Sequence, residues 1–460
     1  MPSLNEGEVF TTPAREPGVR SYLERRFQIH ARGTTWRTEI IAGATTFLTM
    51  AYIVFVNPEI LGEAGMPVAA VAVATCLSAA IGSILMGVIS NYPLALAPGM
   101  GLNAYFTFTV VKGMGVPWQT ALGCVFLSGC AFLVLTAAGV RQLIVNAIPR
   151  ELFAAVAAGV GLFIAFIGFR DAGIIVPSAG TTVAMGNVRS PQTALAILGM
   201  LIIAGLQVWG VRTAMLWGIV ATTVAGFAFG LVHWHPAQYR LADLTATAFH
   251  LDIRAALHLK GSFGAGLIEV IFVFLFVDLF DNVGTLVAVT EKTGLVAPSG
   301  EIPRLNRILF ADATATVLGS LAGTSTVVTY IESAAGVAVG GRTGIASIVT
   351  GLLFLVALFV APLVAMIPAA ATAPALILVG ALMISAVSEI EWADPMVSVP
   401  AFLTLITIPL TFSIANGLAF GITSFALLRL VRGQVRRQDW MLYVLAALFL
   451  LRFIYMAKSY

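Results

Sequence analysis

The chain has 460 residues, 59% of them hydrophobic and 10% charged, with a net charge of +3 and a mean hydropathy of +0.96. A soluble domain carries about 25% charged residues. The composition therefore excludes a soluble globular protein, and the length suits a dozen or more membrane spans of roughly 20 residues each. The small positive balance, scattered through loops, excludes a nucleic-acid-binding surface.

Residues 1–36 are polar and basic and lack the apolar centre of a cleavable signal, so a cytoplasmic tail is expected. Within it Ser21 to Ile29 reads either as a short amphipathic helix, with Tyr22, Leu23 and Phe27 toward lipid headgroups, or as a disordered tail. Hydropathy then gives spans at 38–57, 68–90, a broken segment at 93–111, 118–139, 151–169, 192–208 and 213–232. After a polar loop come 264–288, 306–321, a second broken segment at 325–341, 343–366, 372–388, 398–414 and 415–430. A last apolar run, 440–456, either crosses the bilayer or lies along its surface. With the N-terminus inside, most arginines, among them Arg25, Arg26, Arg32, Arg37, Arg304, Arg307, Arg342 and Arg432, fall on the cytoplasmic side, as the positive-inside rule requires. The loop 233–263, with His233, His235, His250 and His258, falls outside and reads as solvated rather than metal-binding. Cys76, Cys124 and Cys130 sit in apolar runs without metal-ligand spacing and read as small core side chains.

The two broken segments are odd in the same way. In NYPLALAPGMGLNAYFTF an apolar piece meets Pro98, Gly99 and Gly101 before a helical pattern resumes. In GTSTVVTYIESAAGVAV the β-branched run Thr324 to Thr329 precedes Glu332 and the small residues that follow it. Each reads as a short extended piece feeding a half-length helix. They lie seven segments apart, so they occupy matching places in two halves of seven, the second inverted because seven is odd. Interrupted helices at matching places of inverted halves point to a transporter's midplane site, where free N–H groups of both helices serve a polar substrate. Ordinary Pro/Gly-kinked helices are the plainer alternative.

Four carboxylates lie in the same apolar region: Asp278, Asp281, Asp312 and Glu332. Each costs on the order of 2.5 kcal/mol or more at membrane depth unless it meets a partner or a wet cavity. They mark a site, or else they cap helices and pair internally, as Asp281 and Asp312 in particular could. No Lys or Arg lies close to Asp278 and Glu332 in sequence, which suits them to proton uptake and coupling to a proton gradient. A carboxylate also accepts two parallel N–H bonds from a planar lactam or amidine edge. Tyr330 falls two residues before Glu332, on the same face of extended backbone, and could stack on such a ring. Asn103 offers a donor and an acceptor. The set fits a small, flat, neutral heterocycle better than an inorganic anion.

TTFLTMAYIVFVNP (Thr45 to Pro58), APGMGLNAYF (Ala97 to Phe106), FVDLFDNVGTL (Phe276 to Leu286) and TYIESAAGVAVGGRTG (Thr329 to Gly344) resemble the azaguanine-type purine permeases of the nucleobase–cation symporter superfamily. The resemblance extends over about 36–430. It implies an all-α polytopic protein of the cytoplasmic (inner) membrane, with fourteen segments in two inverted repeats of seven. A core domain (37–140 and 264–366) would hold substrate, and a gate domain (150–232 and 372–430) would flank it; 438–460 would be a C-terminal apolar segment. It further implies that Asp278 contacts the base or coupled proton, that Glu332 hydrogen-bonds the base, and that Asn103 and Tyr330 belong to the site. Asp312 would support the site from behind, alongside Asp281 and Ser333. The coupling ion would be H⁺, with no other cofactor, and the protein would be a homodimer. Asn282 departs from the threonine common in relatives, which leaves selectivity among purines open.

The expected function is proton-coupled import of adenine, guanine or hypoxanthine. An anion transporter of the same fold is the rival, opposed by the acidic site. A membrane-embedded enzyme lacks its nucleophile–base pair or metal ligands, and a channel lacks its rings of pore charge.

Overall fold

The computed structural model describes residues 19–139, 150–232, 245–257, 264–293, 302–359, 364, 366–434 and 440–457. His233, His235 and His258 lie outside them. The first helix, α1 (Val19–Phe27), precedes α2 (Trp36–Met50), α3 (Ile53–Gly62) and α4 (Val68–Ser90). Strand β1 (Leu96–Pro98) leads into α5 (Met100–Ala104), which continues as a π-helical stretch over Tyr105–Gly113, and α6 (Trp118–Ala137) follows. Next come α7 (Arg150–Asp171), a hairpin of β2 (Ile175–Ser178) and β3 (Thr182–Met185), α8 (Pro191–Val208), α9 (Ala214–Ala228) and the short α10 (Ile253–Leu257). The second half holds α11 (Gly264–Thr293), α12 (Leu305–Ala322), β4 (Val327–Thr329), α13 (Ser333–Val339), α14 (Gly344–Ala357), α15 (Ala369–Met383), α16 (Pro395–Thr411), α17 (Ile414–Val431) and α18 (Trp440–Ala457).

Among the described residues, seven helical stretches are long and apolar enough to cross a membrane by themselves, and the chain is a multi-pass membrane protein. Its helices pack in two groups. In the first, α4 lies against α3, α12 and α14, while α2 packs on α13 and α14, and α6 packs on α11 and α12. In the second, α7 packs on α15 and α16, α8 on α9 and α15, and α16 on α17. Without a hydrophobic drive between helices in lipid, close approach of small residues holds such groups together. Gly161 on α7 illustrates it, because a Cβ there would stand 2.9 Å from the carbonyl oxygen of Gly380 on α15.

Both expected interruptions are present. β1 and β4 pair antiparallel, with Leu96 opposite Thr329 and Pro98 opposite Val327. The ladder is extended by Gly99 N–H to Thr326 O (2.9 Å) and Tyr330 N–H to Ala95 O (3.0 Å). Proline is tolerated because β1 has a partner on one side only. α5 and α13 leave from opposite ends of the ladder and run in opposite directions.

Three features differ from the sequence reading. The first span is broken near Tyr52, where Val54 N–H bonds to Ala51 O and Phe55 N–H to Tyr52 O, tightening the turn between α2 and α3. The segment before α8 forms a hairpin, a short alternation that hydropathy averages away. Ser21 to Ile29 lies mostly within α1, but Phe27 and Ile29 are buried against Ile345. Phe27 and Leu23 therefore pack inward instead of toward headgroups, because the start of α14 supplies an apolar seat; Tyr22 alone of the three is exposed. The last apolar run is helical, with Phe449 against Phe272 (5.7 Å) and Phe453 against Phe420 (5.3 Å).

Glu39, in the first turn of α2, is fully buried. Its carboxylate accepts the backbone N–H groups of Arg342 (2.8 Å), Thr343 (3.2 Å) and Ala346 (3.3 Å), capping α14 from a distant element. Glu39→Ala leaves these donors unmet at about 1–3 kcal/mol each. A drop in the unfolding temperature of the purified protein, larger than for Glu39→Gln, is the expected result.

Candidate functional site

α11 enters the middle of the first group carrying Asp278, Asp281 and Asn282. Residues 278 and 282 are one turn apart and share a face. Asn282 Nδ2 donates to Asp278 Oδ1 (2.9 Å) and to Asp312 Oδ2 on α12 (2.5 Å). Its Oδ1 accepts the backbone N–H of Thr329 (3.2 Å) and the Thr329 hydroxyl. One side-chain amide thus ties α11, α12 and β4 together. Asp278, Asn282, Asp312 and Thr329 are all buried.

Asp281 is turned to a different part of the helix surface and is only partly buried, as is Glu332 at the start of α13. The two carboxylates and Tyr330 lie close enough to feel one another's charge. Glu332 Oε1 accepts the hydroxyl of Tyr52, 2.6 Å away across the turn between α2 and α3. Tyr330 donates its own hydroxyl to Pro98 O (2.5 Å), which fixes its ring beside β1. Ser333 Oγ accepts the N–H of Ala95 (3.0 Å), holding the chain just before β1 against the start of α13. The half-buried acids are thus flanked by two tyrosines and framed by the β1–β4 pair.

Asn103 has a different environment. It donates to Asn57 Oδ1 and accepts from the Ser325 hydroxyl. Asn57 in turn donates to Thr75 (2.7 Å) and Thr324 (3.0 Å). All five residues are fully buried. This network joins α3, α4, α5 and the chain before β4. Its polar atoms are spent on one another, which rigidifies the cradle from behind.

Tyr52 and Asn57 had no assigned role in the sequence reading, although both stand in the stretch Thr45 to Pro58. Asn282 stood out there only as a departure. Its position, one turn beyond Asp278 within an apolar helix, was the available signal. Among the described residues no group of three or more His, Cys, Asp or Glu is arranged to hold a metal ion.

A helical membrane protein built around two broken segments, with half-buried carboxylates beside them, belongs to the class of transporters. Its fold is shared with the murine anion transporter Slc26a9 in an inward-facing state (TM-score 0.62, 9% identity, covering 91% of this chain and 74% of that one). It is also shared with the transmembrane domain of the cyanobacterial bicarbonate transporter BicA (TM-score 0.60, 14% identity, 84% and 97%). The sequence pattern of the Permease family, Xan_ur_permease, matches residues 37–420, and the chain belongs to that family. It is similar to the putative permease MJ0326 of Methanocaldococcus jannaschii (48% identity, 95% of this chain and all of that one). Similar too are the adenine permease AdeP of Escherichia coli K12 (46%; 94% and 96%) and the guanine/hypoxanthine permease PbuG of Bacillus subtilis 168 (45%; 94% and 99%). The protein is thus a permease and not an enzyme.

Replacing Asn282 by Ala removes the donor shared by two buried carboxylates and should lower stability by about 2–3 kcal/mol, read as a fall in unfolding temperature without ligand. Asn103→Ala should do the same, since its partners are protein groups. An unchanged unfolding temperature with weakened ligand binding would instead put Asn103 at the substrate.

Proposed function

We propose that this permease imports purine bases with protons across the cytoplasmic membrane. The observation that carries the reading is the pair of half-buried carboxylates, Asp281 and Glu332, beside the fixed Tyr330 ring. A purine offers ring and exocyclic N–H groups along one edge, which a carboxylate accepts in parallel, and a flat face that a tyrosine covers. The relatives named for adenine and for guanine/hypoxanthine, alike over nearly the whole chain, support the same cargo. The fold shared with anion transporters does not bear on cargo, and the acidic site disfavours an anion.

In this reading fourteen segments form two inverted repeats. The first packing group is the core that carries the base, the second is the gate, and the two slide past each other as an elevator. Glu332 bonds the base, with Asp281 beside it, and Asp278, held by Asn282, braces the helix or takes the proton. One proton enters with the base on Asp278 or Glu332, so that binding the pair favours the closed, mobile state. Two copies form the working dimer.

Uptake of labelled hypoxanthine, guanine and adenine by cells or proteoliposomes tests this. Accumulation should collapse with a protonophore, and excess sulfate or dicarboxylate should not compete. Glu332→Gln and Asp281→Asn should each lower uptake at least about tenfold, the loss of a charge-assisted hydrogen bond. The proton carrier is the acid, Asp278 or Glu332, whose amide variant loses uphill uptake but keeps exchange of internal for external base. Accumulation that survives loss of the gradient rejects proton coupling.

A further inference from the structure

A second set of polar groups bridges the two packing groups, away from the carboxylates at the β1–β4 pair. From the first group come Glu59 on α3 and Glu63, one turn on at that helix's C-cap, and Phe108 and Lys112 on the π-helical stretch. From the second come Arg170 and Asp171, which end α7, and Thr372, in the first turn of α15. With the N-terminus inside, α3 and the π-helical stretch end on the outer side, α7 ends there, and α15 begins there. All seven residues therefore gather at the outer end of the boundary.

Lys112 Nζ pairs with Glu63 Oε2 within the first group. Arg170 Nη2 reaches the same oxygen from the second group at 3.8 Å, while also pairing with its neighbour Asp171 at 2.9 Å. The Arg170 guanidinium lies 4.6 Å from the centre of the Phe108 ring, on whose edge of the boundary Lys112 also sits at 5.3 Å. Deeper by one turn, the Thr372 hydroxyl donates to Glu59 Oε2. Beside these, Thr109 on the π-helical stretch donates to Phe412 O, at the turn between α16 and α17. The Arg170–Glu63, Arg170–Phe108, Thr372–Glu59 and Thr109–Phe412 contacts each join one group to the other.

We infer that this set is an outer latch. Closed, as here, it holds the outer ends of the two groups together and bars the site from the external side. It must part before a base enters from outside. The inference rests on the proposed division into core and gate. The chemistry suits a contact made and broken in each cycle. The side chains of Glu63, Lys112 and Arg170 are 38%, 44% and 31% exposed, so water takes over their charges when they separate. Exposed ion pairs of this kind are individually weak, and one threonine hydroxyl on Glu59 adds a single hydrogen bond. A fully buried pair would instead leave stranded charges on opening. Arg170 is the pivot, because among the described charged residues of the latch it touches both an acid and an aromatic ring of the opposite group.

The test uses Val160, midway along α7 against Gly101 on α5, replaced by Cys as a reporter of outer opening. A membrane-impermeant maleimide is applied to intact cells, with the parent lacking this substitution as the blank for native thiols. Arg170→Ala and Glu63→Ala should each raise the labelling rate roughly three- to tenfold by shifting the population toward the outward-open state, and Arg170→Lys should return it toward the parent. Unchanged labelling in folded variants overturns the latch. A second arm joins Glu59→Cys to Thr372→Cys with a short bifunctional thiol reagent. Without the Val160 substitution, base uptake should stop, whereas a monofunctional reagent should spare it; transport that continues in the cross-linked protein also overturns it. The labelling arm needs no substrate, so a failure of purine uptake in the parent itself would reject the cargo and leave the latch to be judged on labelling.

Discussion

Backbone that leaves the helix deep in a bilayer must find its hydrogen-bond partners within its own chain. The pairing of β1 with β4 meets that demand, and much of the molecule is arranged around it. The two strands satisfy each other over three residues, and Gly99 and Tyr330 carry the bonding past the ladder at either end. Because the pair is antiparallel, the helices that continue from it diverge, and their starts fall on either side of one small region. α4, α12 and α11 close around the pair, so the extended backbone never meets lipid.

Charge inside the apolar region is handled by the same economy of partners. Glu39 is met by backbone N–H groups of α14, Glu332 by the Tyr52 hydroxyl, and Asp278 and Asp312 by the amide of Asn282. Each of these donors is neutral. A neutral donor fixes a carboxylate's position without cancelling its charge, which leaves the acid able to exchange one hydrogen-bond partner for another. That property fits groups that meet a substrate or a proton on one stroke and release it on the next. The polar network around Asn57 and Asn103 shows the complementary case. There amide and hydroxyl groups are matched to one another and hold α3, α4 and α5 in a single arrangement.

Where the ends of α3 and the π-helical stretch meet α7 and α15, the two groups touch differently from how each is built. Inside each group, glycines and alanines bring backbones into contact, as Gly161 and Gly380 do between α7 and α15. Between the groups at those ends, the described contacts include a half-buried arginine, a threonine hydroxyl and a backbone carbonyl. Packing of the first kind resists sliding, and contacts of the second kind tolerate it.

The membrane class, the approximate positions of the helices and both interruptions were legible in the sequence. Each rests on a local property: hydropathy over twenty residues, proline's effect on the residue before it, and the extended preference of Thr324 to Thr329. The four carboxylates were legible too, since any acid in such a run stands out against its neighbours. Their division of labour was not. Asp278 and Asp281 differ by less than one helical turn, and only the placement of Asn282, Asp312 and Thr329 makes one buried and the other half-open. Tyr52 reaches Glu332 across 280 residues, and Phe27 turns inward because Ile345 is there to receive it. Spacing along the chain fixes which groups lie at which depth, because that depends on short-range rises and periods. Which groups touch depends on how separate helices rotate and pack, and that was decided only by the tertiary structure.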